Sequence, residues 1–328
     1  MINSDLRNIL PQVRGSYRFN TLIKNWFDVK TYAEIIFKPK DQEDLVYFLK
    51  NFSQKDLIKI IGATSNIIFQ NEVTEGLIIK LSSGFSYINI CDNELSQDLL
   101  SKSPLSFVKK AAIDHSQISI LDIGAATLCK NVANFTQSNS LSNLEFLTGI
   151  PGSIGGAIAM NAGCYGGEIS NFLLLATAID LNGVIHQFSN QDFGFYYRGS
   201  RLCKERSGEL IFISARFACH KKDSELVAQT INQFNQAREE SQPIRAKTGG
   251  STFKNPVNSS KKAWQLIDQA NCRGLKMNDA QISEKHCNFL VNQGHASGQD
   301  IVNLIEKVQQ QVKNFTGEDL EMEIKIIK

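Results

Sequence analysis

No run of the 328 residues approaches the length of about 18 apolar positions that a membrane-spanning helix needs. The apolar stretch FLLLATAI, 172–179, is far too short. The amino-terminal MINSDLRNILPQVRG lacks the apolar core of a secretory signal, so a cytoplasmic location is expected. The cysteines, Cys91, Cys129, Cys164, Cys203, Cys219, Cys272 and Cys287, are odd in number and form no C-x-x-C pair. That argues against a disulfide framework and a structural zinc site, and favours reduced thiols acting as small hydrophobes. The five histidines show no H-x-H or H-x-x-x-H spacing, which leaves no metal centre to expect. Thirty-five basic residues balance 33 acidic ones. With no basic block among them, nothing calls for nucleic acid as a partner. Internal repeats and low-complexity segments are also lacking. No G-x-G-x-x-G opens a helix after an early strand, and no serine sits in G-x-S-x-G. A Rossmann dinucleotide fold and a hydrolase triad therefore have little support.

What is present is a globular composition, 42% hydrophobic and 21% charged, long enough for two or three domains. Glycine is concentrated in LEFLTGIPGSIGGAIAMNAGCYGGE, 144–168, at Gly149, Gly152, Gly155, Gly156, Gly163, Gly166 and Gly167. Such a segment, with Gly155-Gly156-Ala157 opening a helix, makes a natural phosphate cradle. A packed glycine turn without a ligand is the plain alternative. A second turn, GATSN at 62–66, lies between two apolar runs and offers N–H groups and a hydroxyl.

Periodicity predicts helices over 41–52, 127–137, 224–240, 261–270 and 298–315, the last burying Ile301, Leu304, Ile305, Val308 and Val312. Strands are predicted at 58–61, 67–69, 77–81, 87–90, 118–123 and 209–219. Asn182-Gly183 predicts a hairpin over 176–188 with a two-residue type I′ turn. The alternation in LEMEIKII predicts a closing strand over 320–327, with Leu320, Met322, Ile324 and Ile326 on one face. Residues 1–25 read as irregular. Strand and helix signals cluster rather than alternate, so the fold class expected is α+β.

Three polar groups stand out. Arg198, in FGFYYRGSR, is suited to binding a carboxylate with two donors, or it stacks on Tyr196 or Tyr197. Ser251, in GGSTFKNP, sits after two glycines with Lys254 nearby, as in a poised proton donor or an ordinary turn. Glu321 and Glu323 lie on the polar side of the closing strand, and His286 precedes an apolar strand.

In order along the chain, WFDVKTYAEIIFKP, GATSNIIF, GIPGSIGGAIAMNAGCYGGEI, YYRGS, GGSTFKNP, AQISEKHCNFLVN and LEMEI resemble the UDP-N-acetylenolpyruvoylglucosamine reductase (MurB) family. The absence of an inserted tyrosine loop resembles its shorter, second type. The resemblance implies a vanillyl-alcohol-oxidase-like (PCMH-type) flavin fold: FAD-binding subdomains over 1–84 and 85–221, and a substrate-binding α/β domain over 222–328. It implies non-covalent FAD held by Gly62, Ala63, Thr64, Ser65, Asn66, Gly149, Ile150, Pro151, Gly152, Ser153, Gly155, Gly156, Asn161, Ala162 and Gly163. NADPH would supply the hydride, and UDP-N-acetylglucosamine enolpyruvate would be reduced to UDP-N-acetylmuramate for peptidoglycan synthesis. Arg198 would stabilise the developing enolate, Glu323 would assist at the carboxylate in its protonated form, and Ser251 would protonate C2. Tyr197, Lys254, Asn255 and His286 would contact substrate. A monomer is expected. Two departures fall on the flavin side: Lys30-Thr31 where the family has Gly-Gly, and Thr64 where it has glycine, a β-branched residue strained at positive φ. They keep open a silent relative that only binds a sugar nucleotide or a protein. A flavin oxidase of the same fold would leave Ser251 and Glu323 unused.

Overall fold

The computed structural model describes residues 4–91, 98–100 and 115–328. Contact clustering divides the chain into two units, neither continuous in sequence. The first takes residues 1–18, 36–63 and 77–236, and the second takes 19–35, 64–76 and 237–328. Among the described residues no helix is long and apolar enough to cross a membrane.

The early chain forms strands β1 (Ser16–Leu22), β2 (Tyr32–Lys38), β3 (Ile58–Ile61), β4 (Ile67–Phe69) and β5 (Val73–Lys80). A four-stranded sheet has the order β1-β2-β5-β3, and the unit boundary falls within β1, β2 and β5. β1 corrects the expectation of irregular chain: SYRFNTL alternates exposed and half-buried side chains, a period of two built on Tyr17, Phe19 and Thr21. Helix α1 (Gln42–Asn51) starts where expected because the Asp41 carboxylate accepts the Asp44 N–H.

In the first unit the main sheet is antiparallel. It contains β6 (Ile88–Ile90), β7 (Ile118–Gly124), β8 (Leu173–Asp180), β9 (Ile185–Ser189) and β10 (Leu210–Lys221), in the order β9-β8-β10-β7-β6. Its apolar face packs with helices α2 (Cys129–Ser138) and α3 (Ile154–Ala159) in a core that includes Leu121, Val132, Ile154, Ile158 and Phe217.

The β8–β9 turn differs from expectation. Asp180 pairs with Val184, so the loop has three residues, and of these Gly183 alone takes a positive φ, +77°. The cause is Asp180 itself: its Oδ1 accepts from the Asn182 and Val184 N–H groups at 2.9 and 3.0 Å. The side chain stabilises the longer loop that a two-residue type I′ turn would exclude.

The second unit takes the last turn of helix α4 (Ser224–Ser241), whose residues through Gln236 belong to the first unit, and is built on helices α5 (Ala263–Gln269) and α6 (Gly298–Thr316). It also has the sheet β11 (Lys276–Met277), β12 (Ala280–Ile282) and β13 (Leu290–Asn292), and a parallel pair of β4 with β14 (Lys325–Ile327). Ile301, Leu304, Ile305, Val308 and Val312 of α6 are buried as their spacing predicted. Regular pairing of the closing strand is limited to Lys325–Ile327. Residues 320–324 keep Leu320 and Ile324 buried but contribute only an isolated bridge, Phe253 to Met322.

Candidate functional site

On the first unit, the predicted glycine segment turns through a short helical stretch at Glu145–Gly149 into α3. Two amide donors at the start of α3 are already used: Ile154 N–H bonds Thr127 O and Gly155 N–H bonds Ala125 O, both at 2.9 Å. Gly155 therefore serves close packing, since a Cβ there would lie 3.1 Å from the Ala125 methyl. At Gly156, which is exposed, a Cβ would meet nothing nearer than Ser153 Oγ at 3.8 Å, so the space beside that residue is open. Gly62 backs directly onto Ser153: a Cβ would stand 2.7 Å from its Oγ. The start of the GATSN turn and the GIPGSIGG segment are thus neighbours, with glycine where a side chain would intrude. Two turns this close, with a glycine facing a serine hydroxyl, suit the pyrophosphate of a dinucleotide cofactor, and the residues present fit FAD in that respect.

The YYRGS segment is a tight hairpin pairing Phe195–Tyr196 with Gly199–Ser200, with Tyr197 and Arg198 at its tip. Arg198 has φ +58°. Its guanidinium lies over the Tyr197 ring, 4.9 Å from the centroid, and donates to Gly163 O at 2.6 Å. Asn161 ties the same regions together. Fully buried, it accepts from Ser170 N–H at 3.0 Å and donates to Tyr196 O at 3.1 Å. The structure therefore brings Asn161, Gly163, Tyr197 and Arg198 into one cluster, with the Asn161 side chain spent on protein groups.

On the second unit, Thr64 adopts the left-handed conformation anticipated for its position, φ +58°, and is 3% exposed. Its hydroxyl donates to Lys24 O at 3.0 Å, which offsets part of the strain of a β-branched residue at positive φ. Asn66 brackets Glu323: its Nδ2 donates to Glu323 O at 3.0 Å and its own O accepts from Lys325 N–H at 3.1 Å. Glu323 N–H in turn donates to Thr252 O at 2.9 Å. Ser251 is the next residue along, after Gly250 at φ +87°, and makes an antiparallel bridge with Phe289. Ser251 and Glu323 therefore stand on hydrogen-bonded neighbouring segments.

Lys254 is paired with Glu321, Nζ to Oε1 2.5 Å, and Asn255 Oδ1 accepts from Ala263 N–H at the start of α5. His286 is half-buried against Phe289 and Trp264. Burial holds its imidazole below the usual value, in keeping with a neutral Nδ1 that accepts from Asn288 N–H at 3.2 Å. Sequence reasoning missed Asn288 and Asn292, both buried. Asn292 donates to Phe27 O and accepts from Gly294 and Ala296 N–H. Their only sequence signal is a polar residue on each side of the apolar FLV run.

The chain matches a model described as an FAD binding domain over residues 105–189. Over residues 242–327 it matches one described as the C-terminal domain of UDP-N-acetylenolpyruvoylglucosamine reductase. Fold and site together define an FAD-dependent oxidoreductase with a PCMH-type flavin fold and a C-terminal α/β domain. The UDP-N-acetylenolpyruvoylglucosamine reductase of Rickettsia massiliae (strain Mtu5) is 41% identical over 321 residues, covering 97% of this chain and 98% of that protein. The reductase of Rickettsia rickettsii (strain Sheila Smith) is 42% identical with the same coverage. The crystal structure of the enzyme from Thermus caldophilus superposes with a TM-score of 0.71 at 26% identity, covering 97% of this chain and all of that one. The chain belongs to the UDP-N-acetylenolpyruvoylglucosamine reductase family.

Proposed function

We propose that this chain reduces UDP-N-acetylglucosamine enolpyruvate to UDP-N-acetylmuramate, with FAD as cofactor and NADPH as hydride donor, in peptidoglycan precursor synthesis. The observation that carries the reading is the pairing of the Ser251 and Glu323 segments through Thr252 O. When bound, FAD supplies the redox chemistry, taking hydride from NADPH and passing it to C3 of the enolpyruvyl group. Ser251 gives its hydroxyl proton to C2 and is reprotonated from solvent, so the double bond gains one hydride and one proton. Arg198 stabilises the developing enolate, and Glu323 in its protonated form assists by donating to the substrate carboxylate. We assign the flavin, held without a covalent bond, to residues 1–221 and the sugar nucleotide to 222–328; the two matched spans support this division. Gly62 to Asn66, Gly149 to Ser153, Gly155, Gly156 and Asn161 to Gly163 are assigned to FAD, and Tyr197, Lys254, Asn255 and His286 to substrate. For Lys254 and Asn255 this means contacts made alongside, or in exchange for, those with Glu321 and Ala263.

The test is the visible spectrum of the purified protein under anaerobic conditions. The flavin band should bleach on NADPH and return on the enolpyruvyl sugar nucleotide. A folded protein that takes up no FAD would overturn the assignment.

A further inference from the structure

The segment carrying Ser251 is held on one flank by the bridge to Phe289 and by Asn288, which uses both side chain and main chain. Asn288 is 5% exposed, and its amide treats Phe253 as a strand neighbour would. Oδ1 accepts the Phe253 N–H at 3.0 Å and Nδ2 donates to the Phe253 O at 2.8 Å. Its main-chain O accepts the Thr252 N–H at 2.7 Å. On the other flank Thr252 O receives the Glu323 N–H and Lys254 N–H bonds Glu321 O. Residues 252–254 therefore lie between a clamp made by Asn288 and the segment that carries Glu323.

We propose that Asn288 is a positioning residue for the reduction, setting the Ser251 hydroxyl where C2 is protonated. The inference rests on the assignment of Ser251 as proton donor. A misplacement of about 1 Å in such a group costs on the order of 100-fold in rate, and both halves of the amide are needed. A group that only accepts, or only donates, leaves one buried main-chain group of Phe253 without its partner.

The experiment uses the FAD-loaded enzyme and follows the two half-reactions separately by stopped flow. Ser251→Ala should slow flavin reoxidation by substrate by about 10²–10⁴-fold while leaving reduction by NADPH unchanged. Asn288→Ala should slow the same half-reaction by about 10–100-fold and spare the other. Hydrogen exchange should rise at the Phe253 amide. The double variant should be no slower than Ser251→Ala alone, because the two act on one step. Asn288→Asp keeps the size and tests the chemistry. Its rate relative to the parent should climb as pH falls, since a protonated carboxyl restores donor and acceptor together. His286, Lys254, Glu321 and Glu323, the other ionisable groups around the strip, are common to parent and variant, so the ratio isolates the group at 288.

If Ser251→Ala reoxidises at the parental rate, the proton-donor reading falls and takes this proposal with it. A slow Ser251→Ala beside a normal Asn288→Ala overturns the positioning role alone. So does an Asn288→Ala that slows both half-reactions equally, or one whose effect multiplies with that of Ser251→Ala. Should Asn288→Ala fail to fold, the pH ratio of Asn288→Asp decides, and a flat ratio overturns the proposal.

Discussion

The glycine segment of the first unit and the 251–254 strip of the second hold a backbone in place by opposite means. In the first, side chains are left out so that main chain meets main chain or Ser153 at close range. In the second, the buried amide of Asn288 reaches out to the strip's main chain and acts as a substitute strand, as buried Asn292 and half-buried Asn66 do for the main chain of Phe27 and Glu323. The first arrangement leaves room beside the main chain, as at Gly156; the second bonds the main chain of the strip on both flanks. The contrast also separates what a substitution should damage. Adding atoms to the glycine region should affect the ligand, whereas removing atoms from the amide region should affect the fold.

Asn292→Ala is expected to have the largest effect. It leaves Phe27 O and the Gly294 and Ala296 N–H groups without their partner. At about 1–3 kcal/mol for each orphaned buried group, partly relieved by water, the cost should be about 3 kcal/mol. The midpoint of thermal unfolding should drop by several degrees whether or not FAD is present. An unchanged midpoint would break the comparison on the amide side.

Gly62→Ala comes next. A Cβ 2.7 Å from Ser153 Oγ should push the two turns apart and weaken FAD binding about 10-fold, or about 1.4 kcal/mol, with little change in the melting of the flavin-free protein. Adding Ser153→Ala should recover much of the affinity in a flavin titration. If the flavin-free protein loses stability instead, the glycine is structural.

Asp180 sharpens the contrast, because here a charged group does what the amides do elsewhere. Burial works to raise its carboxyl, but bonds from the His186 ring and the Val184 and Asn182 amides outweigh this and hold it below the usual value. A depressed carboxyl contributes stability that is complete above the unfolded value of about 3.9 and is lost as pH falls through the lower folded value. Asp180→Asn should cost about 1 kcal/mol at neutral pH and flatten the acid limb of stability against pH, measured by urea unfolding from pH 5 to 2. The Asn292 contribution should show no such slope.

Glycine in place of Thr64 should give the smallest effect. Thr64→Gly relieves a left-handed β-branched residue but forfeits the bond to Lys24 O and gains chain entropy to lose. The net change should stay within about 1 kcal/mol. Thr64→Val keeps the strain and drops the hydroxyl, so its urea midpoint should fall by the larger amount, about 1–2 kcal/mol.

What was legible in the sequence follows the same division. Glycine clusters are visible as composition, and Asp41 and the α6 heptads announce their helices by spacing alone. The left-handed strain at Thr64 was readable because a β-branched residue stood where glycine is usual. The Asn182-Gly183 turn was misread because Asp180, outside the dipeptide, bonds the Asn182 and Val184 amides and stabilises a third loop residue. β1 was missed because its inward side chains are only half-buried. Asn288 and Asn292 were invisible in another way. Beside an apolar run they read as strand ends, and only their partners, 35 and 265 residues away in sequence, reveal what they hold.

The bracket that Asn66 puts around Glu323 has a consequence for biosynthesis. The two residues lie 257 positions apart, and β4, directly after Asn66, finds its partner only in β14. At a translation speed of about 5–20 residues per second, the nascent turn and the apolar Ile67–Phe69 wait on the order of ten seconds to a minute for that partner. Through that interval the second unit has no closing strand, and its unpaired edge is what a ribosome-associated holdase would need to cover. Completion of the 62–66 turn then waits on the synthesis of Lys325–Ile327, so clipping those three residues should leave an enzyme whose defect appears first at a turn made long before them.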